Sequence, residues 1–357
     1  MTGPSVLMLT RYGRLGPSSR LRFLDYLPAL RNAGFRVTEA PLLDDDYLRA
    51  LYDGQRPDRR RIATAYARRV AALREAGRHD VVWLEKEALP WLPAGVESAA
   101  GLGAVPYVMD IDDAWFERYA RHRLAPVRAL LGGKFATLAR NARIVLAGNP
   151  YLADWARGAG CRDVRLLPTV VEPARYLVRP LPGASGEPAI VGWMGSPSTA
   201  RYLGMVGGAL ARLGPAVRLR VIGAKDVELP VPTTFAPWRE ECEADDLSGF
   251  DIGIMPLPDT PWERGKCGYK LIQYMAAGRP VVASPVGVNT TLVQHGVNGF
   301  LAEGEDAWAE ALGRLAADPD LRARMGAAGR RLVEERYALS VTAPQLAEAL
   351  RDAAKPG

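Results

Sequence analysis

Two lysines four residues apart, Lys266 and Lys270, stand in the text Gly265-Lys266-Cys267-Gly268-Tyr269-Lys270-Leu271-Ile272-Gln273-Tyr274-Met275-Ala276-Ala277-Gly278. The 357-residue chain has only four other lysines beside 40 arginines, so the pair is out of character. Gly265 and Gly268 precede an amphipathic stretch read as a helix over about 266–277. A helix N-terminus offers unpaired N–H groups and partial positive charge, and two ammonium groups on one face would add to it. The chemistry that fits is phosphate binding; a solvated helix face fits the spacing equally. A second cluster, Asp110-Ile111-Asp112-Asp113, crowds three carboxylates at the end of an apolar run. Like-charge repulsion there can raise one pKa, which suits proton exchange. The structural alternative is that Asp113 caps the helix holding Trp115 and Phe116. No His, Cys or Asp cluster has the spacing of a metal site. His79, His122 and His295 are isolated and read as structural or exposed.

The elements that must position these residues alternate along the chain. Val6-Leu7-Met8-Leu9 reads as a buried strand, and the glycine loop 13–16 leads into a helix over 20–33 with a Ser N-cap. Phe35-Arg36-Val37 then begins the next strand, completing a βαβ unit. Strands follow at 81–84, 106–109, 144–147 and 164–167, with helices at 60–76, 123–142 and 150–158. Residues 172–188 hold four prolines and two glycines and read as a linker. A second series has strands at 189–194, 219–222, 233–236, 251–255 and 280–283, and a helix at 200–213. The expected fold is α/β: two doubly wound, Rossmann-like domains facing each other across a cleft. Ligands of such sheets bind at the carboxyl ends of the strands. The expected boundaries are 1–172, a linker at 173–188, 189–340, and a last helix at 341–357.

The segment around Lys266 and Lys270 resembles the donor-binding region of family 4 of the GT-B glycosyltransferases. Residues 13–22, Asp110-Ile111-Asp112-Asp113, Ala147-Gly148-Asn149-Pro150 and Val191-Gly192-Trp193-Met194-Gly195-Ser196-Pro197-Ser198 resemble it in the same order. The resemblance implies a retaining, metal-independent transferase with no cofactor. Its nucleotide-diphosphate sugar would be held mainly by the C-terminal half and its acceptor, a glycan, lipid-linked or small-molecule hydroxyl, by the N-terminal half. Developing diphosphate charge would be met by Lys266, Lys270 and helix N-termini. Asp112 falls where many relatives carry an active-site histidine, so Asp112, with Asp110, would contact the donor sugar or orient the acceptor. Gly16, Gly195, Ser196, Trp238, Gly268, Gln273 and Asn149 would line the donor, with a helix cap from Pro150 the alternative for Asn149 and packing the alternative for Trp238; Arg14, Arg20 and Arg22 could reach phosphate, or equally be solvated or structural. Many relatives have two glutamates eight apart, where this chain has Gly265 and Gln273. Gln273 can still contact ribose, and Glu263 is the candidate replacement for the first glutamate. The resemblance also implies that the last helix packs back on the N-terminal domain. The departures keep two alternatives open: a non-catalytic GT-B protein binding nucleotide or glycan, and a nucleotide-sugar epimerase.

Composition bounds these readings. With 48% hydrophobic and 24% charged residues the chain can build large cores, which excludes a disordered protein. Net charge is +6, but residues 1–172 carry +7 and the remainder −1. The excess lies in the acceptor half, which hints at an anionic acceptor or a peripheral location on an anionic membrane. The arginines of 56–78 lack the interleaved aromatics of a single-strand groove, so nucleic acid is not expected. Three cysteines without a C-x-x-C pair fit a reducing cytoplasm. No signal-peptide pattern or spanning stretch is expected.

Overall fold

The computed structural model describes residues 3–178, 187–225 and 227–355. The chain divides into two units, one of Met1–Thr169, Gly265–Cys267 and Ser340–Gly357, the other of Val170–Arg264 and Gly268–Leu339. Residues 179–186 of the expected linker lie outside the described residues.

The first unit is built on six parallel strands: β1 (Ser5–Leu9), β2 (Arg36–Glu39), β3 (Val81–Glu85), β4 (Tyr107–Ile111), β5 (Ile144–Ala147) and β6 (Val164–Leu166). Their order is β2-β1-β3-β4-β5-β6. The chain leaves β1 toward one edge and returns at β3 toward the other. Right-handed crossovers therefore send the connecting helices to opposite faces, and the carboxyl ends of β1 and β3 form the switch point. β3 and β4 are buried throughout, as strands covered on both faces must be. The last helix, Leu339–Ala354, contributes Ser340 onward to this unit. It is held by Tyr26 Oη to Thr342 Oγ1 at 2.7 Å and by Arg165 to Asp352 at 2.9 Å.

The second unit repeats the plan with β7 (Ala189–Met194), β8 (Val217–Ile222), β9 (Thr233–Ala236), β10 (Ile252–Met255), β11 (Val281–Ala283) and β12 (Gly299–Leu301), ordered β12-β11-β10-β7-β8-β9. Its switch point lies between β7 and β10. The short edge strand β12 has too little periodic text to be read from sequence.

Several helices differ from expectation. The stretch 20–33 is Pro17–Arg22, a 3₁₀ turn at Leu24–Tyr26, and Leu27–Asn32. Gly16, not a serine, is the first N-cap. The stretch 123–142 breaks at Gly132-Gly133 into Ala125–Leu131 and Lys134–Asn141, because the two glycines do not sustain a helix. The helix expected from 266 begins at Tyr269, since Gly268 takes a left-handed conformation with φ 66°. Lys266 and Lys270 therefore do not share a helix face. Among the described residues no helix is long and apolar enough to cross a membrane.

Close packing in the second unit needs glycine in the middle of a strand. A Cβ on Gly192 would fall 2.0 Å from the Phe250 ring. Gly192→Ala is expected to cost about 1–3 kcal/mol, read as a lower urea midpoint. An unchanged midpoint contradicts this packing.

Candidate functional site

In the first unit the carboxyl ends of β1, β3 and β4 gather buried charges that neutralise one another. Arg22 grips Asp110 through two hydrogen bonds, Nε to Oδ1 at 2.6 Å and Nη2 to Oδ2 at 3.1 Å, and gives Nη1 to the Leu167 carbonyl at 2.7 Å. Of the two roles left open for Arg22, the structure shows the structural one: the guanidinium is buried and its donors are used within this unit. Burial raises the Asp110 carboxyl to about 6 against the pull of Arg22, with Asp112 and Glu85 adding to the rise.

Lys86 pairs with Asp112 at 2.9 Å and with Glu85 at 3.4 Å. It is buried, and its backbone is left-handed at φ 63°, an uncommon conformation for a side chain of this size. Burial works against the charge of Asp112, but Lys86, Arg22 and a hydrogen bond with Ser18 hold its carboxyl below the usual range. Burial also opposes the Lys86 ammonium, and Asp112 with Glu85 outweighs it, leaving Lys86 raised. Glu85 accepts hydrogen bonds from Ser19 Oγ at 2.6 Å and from the Arg11 amide at 2.8 Å, tying the loop after β1 to β3. Gly16 sits at the head of that loop's helix, where a Cβ would lie 2.5 Å from Tyr12 Cβ.

Asp113 is no helix cap: Trp115–Ala120 begins at Ala114 with no side-chain cap. Its carboxylate stands 3.7 Å from Lys266 Nζ. Burial raises Asp113, Lys266 opposes the rise, and Asp112 adds to it. Asn149 caps the helix Pro150–Gly158 through Leu152 N at 2.8 Å, and its amide nitrogen donates to the Gly265 and Lys266 carbonyls, both at 2.9 Å. A Cβ on Gly265 would fall 2.6 Å from the Ala114 backbone, so this position has no room for the glutamate that many relatives carry. Burial pushes the Cys267 thiol well up, which leaves it inert. The unit thus brings together Gly16, Asp110, Asp112, Asn149 and Lys266.

In the second unit Gly195, Ser196 and Lys270 lie about the carboxyl end of β7, and Gly268 caps the helix that carries Lys270. Lys270 Nζ stands 5.1 Å over the Trp193 ring. A Cβ on Gly195 would be 2.7 Å from Lys270 Cε, so glycine lets the lysine approach the backbone. Ser196 Oγ, exposed, lies 2.9 Å from Ser198 Oγ. Gly223, at φ 84°, lies against the Gly195 carbonyl and Trp238 Cβ.

A buried carboxylate that the sequence did not single out, Glu243, organises the rest. It accepts from Trp238 Nε1 at 2.9 Å, Gln273 Nε2 at 2.6 Å and Tyr176 Oη at 3.2 Å. The Gln273 amide is therefore committed to a neighbouring carboxylate. Glu243 carries no distinguishing signal in its acidic run; only its burial reveals it. Glu263 stands apart: both its oxygens are taken, by Tyr202 Oη and Thr260 Oγ1.

The three histidines serve packing: His295 Nδ1 accepts from Leu301 N at 3.1 Å, and His79 meets Thr38 Oγ1 at 3.1 Å. His122 lies edge-on to Trp91 at 5.7 Å. Among the described residues no group of three or more His, Cys, Asp or Glu side chains is placed to hold a metal ion. A groove of about 1100 Å³ lies at the amino ends of β4 and β5, lined by Tyr107, Arg143 and Asp163, away from these carboxylates.

Two six-stranded parallel sheets with these strand orders define the GT-B glycosyltransferase fold. The crystal structure of Anabaena HepE in complex with UDP and glucose superposes with a TM-score of 0.71 at 18% identity, covering 97% of this chain and 98% of that one. A sucrose-phosphate synthase from Thermosynechococcus elongatus gives 0.71 at 16% identity, covering 98% of each. More particularly, residues 196–318 match the family described as Glycosyl transferases group 1. A D-inositol 3-phosphate glycosyltransferase from Thermobispora bispora is 35% identical over 112 residues, 31% of this chain and 25% of that protein. The match spans about a quarter of that relative's length.

The Lys86–Asp112 pair yields a pH-dependent expectation. The folded-state pKa of Asp112 is depressed, so its pairing stabilises the fold above the ordinary carboxylate range and is lost as pH falls through it. Without Lys86, burial acts on Asp112 unopposed and the carboxyl takes up its proton at higher pH. Lys86→Met is expected to cost about 3–5 kcal/mol near neutral pH. The gap to wild type should narrow from about pH 7 to about pH 4, followed by urea denaturation. A pH-independent gap contradicts the pairing.

Proposed function

We propose that this protein transfers a sugar from a nucleotide-diphosphate donor to an acceptor hydroxyl, with retention and without a metal. The observation that carries the reading is the approach of Lys270, in the first turn of the helix that follows Gly268, to the side-chain-free Gly195 at the end of β7; Gly268 and Lys270 lie within the stretch 196–318 that matches the glycosyl transferases group 1 family. The exposed Ser196 hydroxyl and the Lys270 ammonium suit a diphosphate whose charge grows as the glycosidic bond breaks. Lys266 is a second candidate for that charge. Trp238 offers a ring for the base, and Gln273, its amide nitrogen held by Glu243, would meet the ribose through its amide oxygen. On the first unit, Asp112, kept ionised by Lys86, is suited to contact the sugar or accept a hydrogen bond from the acceptor hydroxyl. Asp110 supports it. Asn149 holds the Gly265–Lys266 backbone, and Glu263 braces the segment before it.

The acceptor belongs with the first unit. Exposed Arg59, Arg60, Arg61 and Arg68 on the helix Arg59–Arg74 support peripheral contact with an anionic membrane from the cytoplasmic side. Exposed Leu124 and Leu130 near Arg121, Arg123 and Arg128 support the same contact.

A panel of nucleotide sugars, beginning with UDP-glucose, tests the reading by donor hydrolysis and transfer. Turnover of at least one donor, unchanged by EDTA, is expected. Lys270→Ala should lower turnover by about 10²–10³-fold without changing the melting temperature. If no donor is bound or turned over, the protein is a non-catalytic member of the fold. Wild-type turnover in the variant removes Lys270 from the site.

A further inference from the structure

Beside the Lys86–Asp112 pair, three cations surround one indole. Arg11 lies 4.6 Å, Lys86 5.1 Å and Arg118 5.1 Å from the Trp115 ring. Two of them are neutralised: Arg11 by Glu87 at 3.3 Å and Lys86 by Asp112 at 2.9 Å. Arg118 makes no ion pair and no hydrogen bond among the described residues. Glu117, its sequence neighbour, is paired with Arg121. The Arg118 guanidinium is exposed, yet it does not extend freely into solvent. It lies over two rings, Trp115 and, at 5.2 Å, Trp91. Cation–π contacts of this kind hold a guanidinium in place while leaving its N–H edge open.

Trp91 is itself unusual. Its backbone is left-handed, φ 63°, and the side chain is 42% exposed. A bulky residue in this conformation is strained, and strain of this kind collects at ligand sites. It is held there by a hydrogen bond from its amide to Tyr119 Oη at 2.9 Å and by edge contacts with Tyr119 and His122. The result is an exposed aromatic surface beside a pre-positioned guanidinium with unsatisfied charge. Aromatic faces suit the C–H faces of sugars, and a guanidinium suits a carboxylate or phosphate through paired N–H donors.

We infer that Trp91 and Arg118 form an acceptor subsite for acidic sugars, that is, sugars bearing a carboxylate or a phosphate. This rests on the glycosyltransferase reading for the word acceptor, but the binding surface stands on its own geometry. The Trp115 ring that Arg118 lies over is also in contact with Lys86, the partner of Asp112, which connects this surface to the carboxylate proposed to meet the acceptor hydroxyl, and the subsite gives part of the excess positive charge of residues 1–172 a specific task.

The test is binding of D-glucuronate, D-glucose 6-phosphate and D-glucose to the full chain, by NMR or calorimetry. The wild type is expected to bind at least one acidic sugar about fivefold or more tighter than glucose. Arg118→Gln should abolish that preference, whereas Arg121→Gln, the same charge change at a paired residue, should keep it. Glucuronate and glucose 6-phosphate as separate arms tell carboxylate from phosphate recognition, and inorganic phosphate tells sugar from bare anion. Equal affinities for charged and neutral sugars, no binding of any probe, binding of phosphate alone, or an effect of Arg118→Gln confined to anionic vesicles would each overturn the inference. Donor turnover, measured in parallel, separates the two readings: acidic-sugar binding without turnover defeats the transferase and spares the subsite.

Discussion

Buried charge at the carboxyl ends of the first parallel sheet is the constraint on which the rest depends. Asp110 and Lys86 are nearly inaccessible, and Asp112 is close to it. An isolated ion in such a place costs several kcal/mol, so each must find a partner of opposite sign with good geometry. The partners come from different elements: Arg22 from the helix after β1, Lys86 from the end of β3, Lys266 from the returning segment Gly265–Cys267. A buried ion pair stabilises little over a well-packed apolar core, but breaking one costs much. Such pairs therefore specify where elements sit more than they add to stability. Here they fix the loops at the switch point of the sheet, where α/β folds bind ligands.

The second unit meets its own site by another device. Instead of paired charges it uses missing side chains. Gly195 and Gly223 let a lysine and a tryptophan approach the end of β7, and Gly268 makes room for Leu292 at the start of the helix that carries the lysine. Glu243 then binds Trp238, Gln273 and Tyr176 into one polar network. A rigid backbone surface with a nearby ammonium is a sound base for a diphosphate, because little need reorganise as charge develops.

The strand pattern was largely legible in the sequence because apolar runs in covered parallel strands are hard to mistake. Helix continuity was not: Gly132-Gly133 and the left-handed Gly268 each broke a periodic stretch, so the Lys266–Lys270 pair lost its shared face. The site residues were legible as types but not as partners. Asp110 and Asp112 stood out by crowding, yet nothing local marks Arg22 or Lys86 as their counterions, since those contacts join distant parts of the chain. Lys86 carried a faint signal, being one of few lysines. Gly265 looked like a lost glutamate; the backbone of Ala114 shows that the space for any side chain is absent. Glu243 and the strained Trp91 had no signal, because burial and backbone conformation are properties of the fold.

The central claim is that the ion-paired end of the first sheet serves sugar transfer as well as structure. Replacing Asp112 by Asn and measuring turnover and UDP-glucose binding on the same preparation tests it most directly. The account expects donor affinity near wild type and turnover lower by about 10²-fold. Wild-type turnover with Asn at this position would contradict it and leave the charge network a purely structural feature.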